Sequence, residues 1–196
     1  TNRILTTYTG GGNYPYGGAI SCDNVAVTLR RCVFSRNDIT FPYWTLWGGA
    51  VSLSGGSAVI DACEFYTNFV QQGGGHPSEN PLGGALYASS VNPLTVSNCV
   101  FVGNYAYGTY AAGGSIHLAG AGLSAVVRRC VATGNGTGGA YGMGDMYVSG
   151  GTVVFLNVLA VRAVWLWLLF TAVCGRTRIN ARALLPCPRP TASREI

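Results

Sequence analysis

Seven carboxylates and two histidines are the residues of this chain that could carry acid–base chemistry. Enzymes that cleave polysaccharides pair such carboxylates on one face or group several of them around Ca²⁺. When the chain is aligned on its internal repeats, the acids of residues 1–157 never share a column in adjacent repeats; they are Asp23, Asp38, Asp61, Glu64, Glu79 and Asp145. The chain also has no Lys that could act as a base. We therefore expect no catalytic residues.

Seven cysteines are the candidates for metal or redox chemistry. Four of them recur at the spacing of the repeats: Cys32, Cys63, Cys99 and Cys130. We predict one inward column, in which Cys behaves as a small hydrophobe. We expect free thiols, because parallel in-register side chains hold the Cβ atoms too far apart for a disulfide. The two histidines, His76 and His117, fall on a loop and on a strand, so we expect no metal site and no cofactor.

Aromatic side chains in the segments between repeats are the first candidates for binding. These segments are residues 8–16, 38–47, 69–82, 105–112 and 136–142, and they hold eight of the eleven tyrosines. Rigid amphipathic rings provide a large contact area at a low entropic cost. We predict that ligand contact is led by Trp44, Trp47, Tyr105, Tyr107 and Tyr110. Packing of these rings against the body of the protein is the alternative.

A second candidate is a column of outward residues on the first strand of each repeat. In order along the chain the column reads Ser21, Ser52, Tyr87, His117 and Tyr147. The last three would form an aromatic and polar stripe that could bind a sugar or a protein. Mutual support between solvent-facing residues that favour β-structure is the alternative.

These residues are positioned by a repeated unit that opens with two glycines and closes on Cys-x-Phe-x-x-Asn. Copies occur at residues 17–37, 48–68, 83–104 and 113–135, with a decayed fifth copy at 143–160. The double glycines start 31, 35 and 30 residues apart. Self-similarity at such a period is typical of solenoid proteins.

Apolar residues alternate along two segments of each unit, which predicts two strands with inward columns. A corner precedes each cysteine, and a third strand then places Cys and Phe inward. The closing Asn residues predict a turn ladder of stacked amides, because Asn tolerates the left-handed conformation. Three short strands per repeat that stack on the next repeat indicate a right-handed parallel β-helix of about five turns over residues 1–160.

Charge restricts the class of partner. Residues 1–157 hold six Arg against six acids, whereas residues 158–196 hold six Arg against Glu195 alone, so the net charge of +5 belongs to the tail. A solenoid that binds nucleic acid would carry a basic stripe along its body. We therefore expect no nucleic-acid partner.

Residues 161–196 form an apolar and then basic, Pro-containing tail. The uninterrupted apolar run from residue 163 to 174 has 12 residues, fewer than the ~20 that a bilayer span needs. Three interpretations stay open: a helix that caps the β-helix, a membrane anchor over 158–174, and a non-native C-terminus. Because the chain starts at Thr1 without an initiator Met, we expect a fragment or a processed form. Uncapped solenoid ends would also permit end-to-end self-association.

The pattern GGA-[IVL] followed by F-x-x-N resembles the repeat of the chlamydial polymorphic outer membrane proteins. The first motif occurs at residues 17–20, 48–51, 83–86 and, with Ser115 in place of Ala, 113–116. The second occurs at residues 34–37, 65–68 and 101–104, and ATGN replaces it at 132–135. This resemblance covers about residues 17–135 and implies a β-helical, surface-exposed passenger that acts in adhesion.

The sequence therefore predicts a non-enzymatic extracellular or cell-surface β-helix that binds a protein or a glycan through its Tyr- and Trp-rich segments. One alternative is a carbohydrate-active fragment, similar to a polysaccharide lyase or hydrolase, whose catalytic turns lie outside the chain. Another is a structural spacer that holds other domains away from a membrane.

Overall fold

The computed structural model describes residues 16–41, 45–72, 80–139, 142–160 and 165–166. The described residues form 22 short strands and no helix. The strands of the first two turns are β1 Ile20–Asp23, β2 Ala26–Arg30, β3 Val33–Ser35, β4 Asp38–Phe41, β5 Leu46–Trp47, β6 Val51–Ser54, β7 Ser57–Asp61, β8 Glu64–Tyr66 and β9 Phe69–Gln72. Those of the third turn are β10 Pro81–Leu82, β11 Leu86–Ser89, β12 Leu94–Ser97, β13 Val100–Val102 and β14 Tyr105–Tyr107. The remaining strands are β15 Ile116–Ala119, β16 Ser124–Arg128, β17 Val131–Thr133, β18 Gly136–Gly138, β19 Met146–Val148, β20 Thr152–Leu156, β21 Leu159–Ala160 and β22 Trp165–Leu166.

These strands stack into four long parallel sheets that run along the axis of a solenoid. The first sheet has the order β1-β6-β11-β15-β19-β22, the second β2-β7-β12-β16-β20, the third β3-β8-β13-β17-β21 and the fourth β4-β9-β14-β18. A two-stranded sheet, β5-β10, lies between the fourth and first sheets along the chain. The described residues therefore form four complete turns, the first three strands of a fifth and, with β22, the first strand of a sixth. This all-β parallel solenoid confirms the predicted fold class.

The strand registers confirm the columns that were predicted from the repeats. In the first sheet Ile20 pairs with Val51, Val51 with Leu86, and Leu86 in turn with Ile116. In the second sheet the Val27, Ala58, Leu94, Ala125 and Val153 column pairs in the same way. Because these columns point inward, their central members are almost completely buried in one continuous core.

The prediction of three strands per repeat was wrong, because the segments assigned as loops begin with a fourth strand. In the first turn Asp38–Phe41 is this strand, and Ile39 and Phe41 point inward. Ile39, Phe41, Leu46, Val70, Ala106 and Ala111 form a second buried cluster behind the fourth sheet. Tyr105 and Tyr107 therefore lie on a strand of a sheet rather than in a loop.

Left-handed residues make the corners of each turn. The corner between the second and third sheets is left-handed at its second residue, and these residues have φ between 51° and 54°: Arg31, Ala62, Asn98, Arg129 and Asn157. The double glycine is needed for two different reasons. Gly48 has a φ of 65°, and a Cβ on Gly49 would overlap the backbone carbonyl of Gly84 in the next turn. Only Gly permits both conditions without strain.

The asparagine ladder exists, although the left-handed residue of each turn is the one before the Asn, for example Arg36 and Thr67. Each ladder amide donates to the next: Asn37 Nδ2 to Asn68 Oδ1 at 2.7 Å, Asn68 Nδ2 to Asn104 Oδ1 at 2.8 Å, and Asn104 Nδ2 to Asn135 Oδ1 at 2.8 Å. All four side chains are buried. Their hydrogen bonds satisfy polar groups inside the turn, as burial requires.

Stacked phenylalanines and free cysteines line the third sheet from the inside. The ring centroids of Phe34 and Phe65 are 4.9 Å apart, and those of Phe65 and Phe101 are 4.7 Å apart. The described cysteines are free, as predicted. Burial raises the pKa of the Cys63 thiol to about 11, so this thiol is protonated and inert at neutral pH.

Two residues of the tail are described. Trp165–Leu166 pairs in parallel with β19 and continues the first sheet as a strand, which differs from the capping helix considered above. The other tail residues, including most of 158–174, lie outside the described ranges. Within the described ranges, no helix is long and apolar enough to span a membrane.

Candidate ligand-binding surfaces

The described residues among the predicted binding residues fall on two separate surfaces. Trp47, Tyr87, His117 and Tyr147 lie along the first sheet and its β5 neighbour, whereas Tyr105 and Tyr107 lie on the fourth sheet. Tyr110 follows β14 and is 36% exposed. Trp44 lies outside the described residues. The prediction of one loop edge that carries both Trp47 and the tyrosines therefore does not describe the arrangement.

The first surface is a ladder of rings, one from each turn, which we call the ring ladder. Its members are Tyr16, Trp47, Tyr87, His117 and Tyr147. The centroid distances along it are 4.7, 6.2, 5.5 and 5.0 Å. Tyr16 and Trp47 are stacked face to face, and the later pairs are tilted or edge-on. Such pairs contribute stability in addition to that from the apolar area that they bury. Much of the ring surface in the ring ladder is therefore in contact with neighbouring rings.

His117 lies deepest in the ring ladder and is only 4% exposed. Its Nε2 lies 3.0 Å from Ser149 Oγ, and its Nδ1 is buried without a hydrogen-bond partner. Burial lowers the pKa of His117 to about 4, and the backbone of Ala112 offsets this only in part. The imidazole is therefore neutral at physiological pH, and its burial between two tyrosines leaves little of it accessible to a ligand.

The second surface is a set of three parallel rings on the outer face of the fourth sheet: Phe69, Tyr105 and Tyr107. We call it the tyrosine platform. Phe69 and Tyr105 have a centroid distance of 5.9 Å and an interplanar angle of 16°, and Tyr105 and Tyr107 have 6.5 Å and 18°. These distances exceed those of the face-to-face pairs in the core, so the rings are offset and leave part of each face uncovered. Tyr105 and Tyr107 are 36% and 44% exposed.

Two glycines of the next turn make room for this arrangement. Gly136 pairs with Tyr105 and Gly138 with Tyr107 across the sheet. A Cβ on Gly136 would lie 3.1 Å from Tyr105 Cε2, and one on Gly138 would overlap the Tyr105 hydroxyl and lie 2.8 Å from Tyr107 Cδ2. The Tyr105 ring thus leans across β18, and no turn-4 side chain at these two positions covers the platform.

Polar groups border the platform on the side of the earlier turns. In the fourth sheet Asp38 pairs with Phe69 of the next turn. Thr40 pairs with Gln71, and Gln71 pairs with Tyr107 of the turn after that. Thr40 Oγ1 donates to Asp38 Oδ1 at 2.9 Å. An aromatic surface with a few placed polar groups is the usual composition of a ligand site.

The described acids do not come together at either surface. Asp61 is the last residue of β7, at the corner before the third sheet, and Glu64 lies on β8 of the third sheet. Asp145 is buried at the end of the asparagine ladder, where Asn135 Nδ2 donates to its Oδ2 at 3.3 Å while its Oδ1 has no partner. Burial raises the pKa of Asp145. No group of three or more His, Cys, Asp or Glu residues that could hold a metal ion occurs in the described part of the chain.

Sequence reasoning missed Tyr16, Phe69 and Asp145 as members of these arrangements. Tyr16 and Trp47 each precede a double glycine directly, and this shared position was the available signal. Phe69 stands one residue after the ladder Asn68, as Tyr105 does after Asn104. Asp145 occupies the column of Ala50, and no signal in the sequence distinguished it from a surface acid.

One of the three comparisons with known proteins finds a match, and it agrees with this architecture. No curated protein and no solved structure matches the chain. The family model described as "Right handed beta helix region" matches residues 6–157, which include the columns, corners and asparagine ladder of the described turns. Since this match covers most of the chain, the protein belongs to the right-handed β-helix family.

Proposed function

We propose that this β-helix is a non-enzymatic binding protein that acts in adhesion outside the cell or at a cell surface, and that the tyrosine platform holds a neutral glycan. The observation that carries the proposal is the set of offset, parallel rings at Phe69, Tyr105 and Tyr107, of which Phe69 is half-buried and the two tyrosines are exposed. The resemblance of the repeats to those of the polymorphic outer membrane proteins supports the role in adhesion.

The chemistry of the platform favours a sugar. A pyranose ring has an apolar C–H face that packs on an aromatic face, while its hydroxyls need donors and acceptors at the border. Thr40, Gln71 and the tyrosine hydroxyls can meet such hydroxyls. The charged side chain in this part of the fourth sheet is Asp38, which would repel an acidic polymer. These features together favour a neutral glycan over a uronate.

The separation of Asp61, Glu64 and Asp145 supports a role without catalysis, since cleavage of a polysaccharide needs acids that converge on one bond. The absence of polysaccharide cleavage is therefore part of the proposal. Release of unsaturated or reducing products from polygalacturonate by the purified chain would overturn it.

Affinity gel electrophoresis tests the platform. The full chain runs through gels that contain hydroxyethylcellulose, galactomannan or polygalacturonate, beside the Tyr105→Ala/Tyr107→Ala variant. We expect at least one neutral polymer to retard the wild-type chain and the variant to run unretarded in that gel. Any retardation by polygalacturonate should be equal in the wild-type chain and the variant, because the platform does not hold a uronate. Tyr66→Ala, which removes a tyrosine from the third sheet, is the matched control and should behave as wild type.

Two results would contradict the proposal. One is equal retardation of the wild-type chain and the double variant, which would place binding elsewhere. The other is the absence of retardation by every neutral polymer, which would leave the platform without its ligand class. Circular dichroism of each variant checks that the β-helix is intact.

A further inference from the structure

The corner between the second and third sheets carries four arginines that the tyrosine platform does not use. Arg30 and Arg31 lie in the first turn, and Arg128 and Arg129 lie in the fourth. All four are exposed. The strand registers align Arg30 with Asp61, Asp61 with Ser97, and Ser97 with Arg128. The two pairs therefore lie on one line parallel to the solenoid axis, and we call this line the arginine corner.

The nearby acids do not neutralise these arginines by direct pairing. Asp61 accepts hydrogen bonds from Ser97 Oγ and Asn98 Nδ2, each at 2.7 Å. These two donors lower the pKa of Asp61 most, and Arg30 and Arg128 lower it further through longer-range attraction. Within the described residues, none of the four guanidinium groups forms an ion pair or a hydrogen bond that would occupy its donors.

Glu64, the next acid along the chain, is also hydrogen-bonded to a neutral group instead of an arginine. Its hydrogen bond with the Tyr66 hydroxyl raises the pKa of that tyrosine. Each arginine pair therefore keeps free N–H donors at the surface. Asp61 lies on the same line between the two pairs and offsets only one of the four positive charges. The charge of the corner is positive even though residues 1–157 are neutral as a whole.

The backbone of the corner fixes where the second arginine of each pair lies. Arg31 and Arg129 are left-handed, with φ of 52° and 51°. The same position is left-handed in the other turns, where Ala62, Asn98 and Asn157 occupy it, so this conformation belongs to the corner of the fold. The repeated corner therefore places both arginine pairs in the same way relative to the sheets.

We propose that the arginine corner binds a linear sulfated polysaccharide that runs parallel to the solenoid axis, with one arginine pair on each of two sulfate groups. The guanidinium fork matches the oxygens of such an anion and binds them in a bidentate manner. Three steps of ~4.8 Å between parallel strands separate the two pairs by ~14 Å. One small anion cannot span that distance, whereas a polymer with repeated sulfates can.

The surroundings of the corner favour a glycan over a nucleic acid. The outward residues nearest the two arginine pairs are Thr28, Val33, Val126 and Val131. None of them is aromatic, and proteins that bind single-stranded nucleic acid place aromatic rings where the bases stack. In the intervening turns the third sheet has one outward ring, Tyr66 of β8, which is partly buried and hydrogen-bonded to Glu64. The arginine pairs therefore offer charge and hydrogen-bond donors without a row of stacking rings beside them.

The test measures heparin binding by fluorescence anisotropy with the full chain. The main variant is R30S/R31N/R128S/R129N, which gives the first and fourth turns the Ser97-Asn98 corner of the third turn. Because that corner already exists in this fold, we expect the variant to fold and its melting temperature to stay the same or rise. We expect its Kd for heparin to increase on the order of tenfold or more, which is the loss of about 1.4 kcal/mol or more of binding free energy. The salt dependence of binding should become shallower, because fewer ions are displaced.

The tail supplies the matched control, since it also carries arginines. The variant R176Q/R178Q/R182Q/R189Q removes the same number of charges, and we expect its Kd for heparin to stay within about twofold of wild type. Loss of heparin binding in the tail variant alone would overturn the proposal. Displacement of heparin by single-stranded DNA at equal charge concentration would also overturn it, because the corner would then recognise any polyanion. Failure of this proposal would leave the tyrosine platform unaffected, since the two surfaces lie on different sheets.

Discussion

The ring ladder and the tyrosine platform are both rows of aromatic side chains on the outside of the same solenoid, but their rings face different surroundings. In the ring ladder each ring contacts the ring of the next turn, and His117 at its centre is 4% exposed. In the platform the rings of Phe69, Tyr105 and Tyr107 are offset, and the turn after the two tyrosines has only glycines at the positions that pair with them.

Aromatic content alone therefore does not identify a binding surface on a β-helix. Stacking along the axis is a natural result of in-register turns, and it uses ring surface for stability. A ring becomes available to a ligand where the register stops supplying another side chain. Gly136 and Gly138 interrupt the row at that point, and so they matter as much to the platform as the tyrosines do.

The largest expected effect concerns the acid sensitivity of the ring ladder. Folding lowers the pKa of His117 from 6.5 to about 4, so the unfolded chain binds a proton more readily between these values. Stability should therefore fall as the pH falls from 6.5 to 4, by up to about 3 kcal/mol. Urea unfolding at several pH values measures this. His117→Gln should remove the effect, and an equal loss in that variant would contradict the assignment.

Truncation of one ring from each surface compares the two directly. Tyr87→Ala should lower the free energy of unfolding by about 2 kcal/mol, because it removes ring contacts with Trp47 and His117. Tyr107→Ala should change it by less than about 0.5 kcal/mol, as most exposed substitutions do. Urea unfolding at pH 7.5 measures both. Equal losses would show that the platform is also a structural ladder.

The buried carboxylate of Asp145 should change stability with pH in the direction opposite to His117. Folding raises its pKa above 3.8, so the folded chain keeps a proton that the unfolded chain has lost, and stability falls as the pH rises through this window. Asp145→Asn should be more stable than wild type at pH 7 by about 1 kcal/mol. The difference should shrink as the pH falls toward 3.8. A variant that is less stable at pH 7 would show that the charge is favourable there.

The smallest expected effect concerns the glycines that pair with the platform tyrosines, Gly136 and Gly138. In Gly138→Ala the added Cβ would overlap the Tyr105 hydroxyl, and this ring must move. We expect retardation in neutral-polymer gels to weaken severalfold while the melting temperature changes by less than about 2 °C. The control is Gly122→Ala, where the added Cβ would lie 3.7 Å from its nearest neighbour, Ser90 Cβ, at ordinary contact distance. Identical retardation in both variants would mean that the ring position is unimportant.

Much of the fold follows from the sequence because each strand of the first two sheets repeats an apolar alternation, and each turn repeats its glycines, Cys and Asn. The fourth sheet was missed for a physical reason. Its strands read DITF, FVQQ, YAY and GTG, and they share only single inward positions such as Ile39, Val70 and Ala106. A strand with one or two buried residues and a variable outer face has no pattern of its own.

The candidate surfaces were predictable in part. The register of Tyr87, His117 and Tyr147 followed from the repeat, and it is confirmed. The ring contact of Trp47 with Tyr87 was not predictable, because it joins two different columns across neighbouring turns. The burial of Asp145 depends on the carboxylate turning toward Asn135, which alternation in the sequence does not report.

Tyrosine nitration, read by mass spectrometry, measures the accessibility of each ring separately in the full chain, and so it shows whether the platform tyrosines are open to a ligand while those of the ring ladder are covered. We predict that Tyr105 and Tyr107 are nitrated faster than Tyr87 and Tyr147, and that galactomannan or hydroxyethylcellulose slows the reaction at Tyr105 and Tyr107 only. Equal rates at the two surfaces, or protection of Tyr87 and Tyr147 in place of the platform tyrosines, would contradict the account.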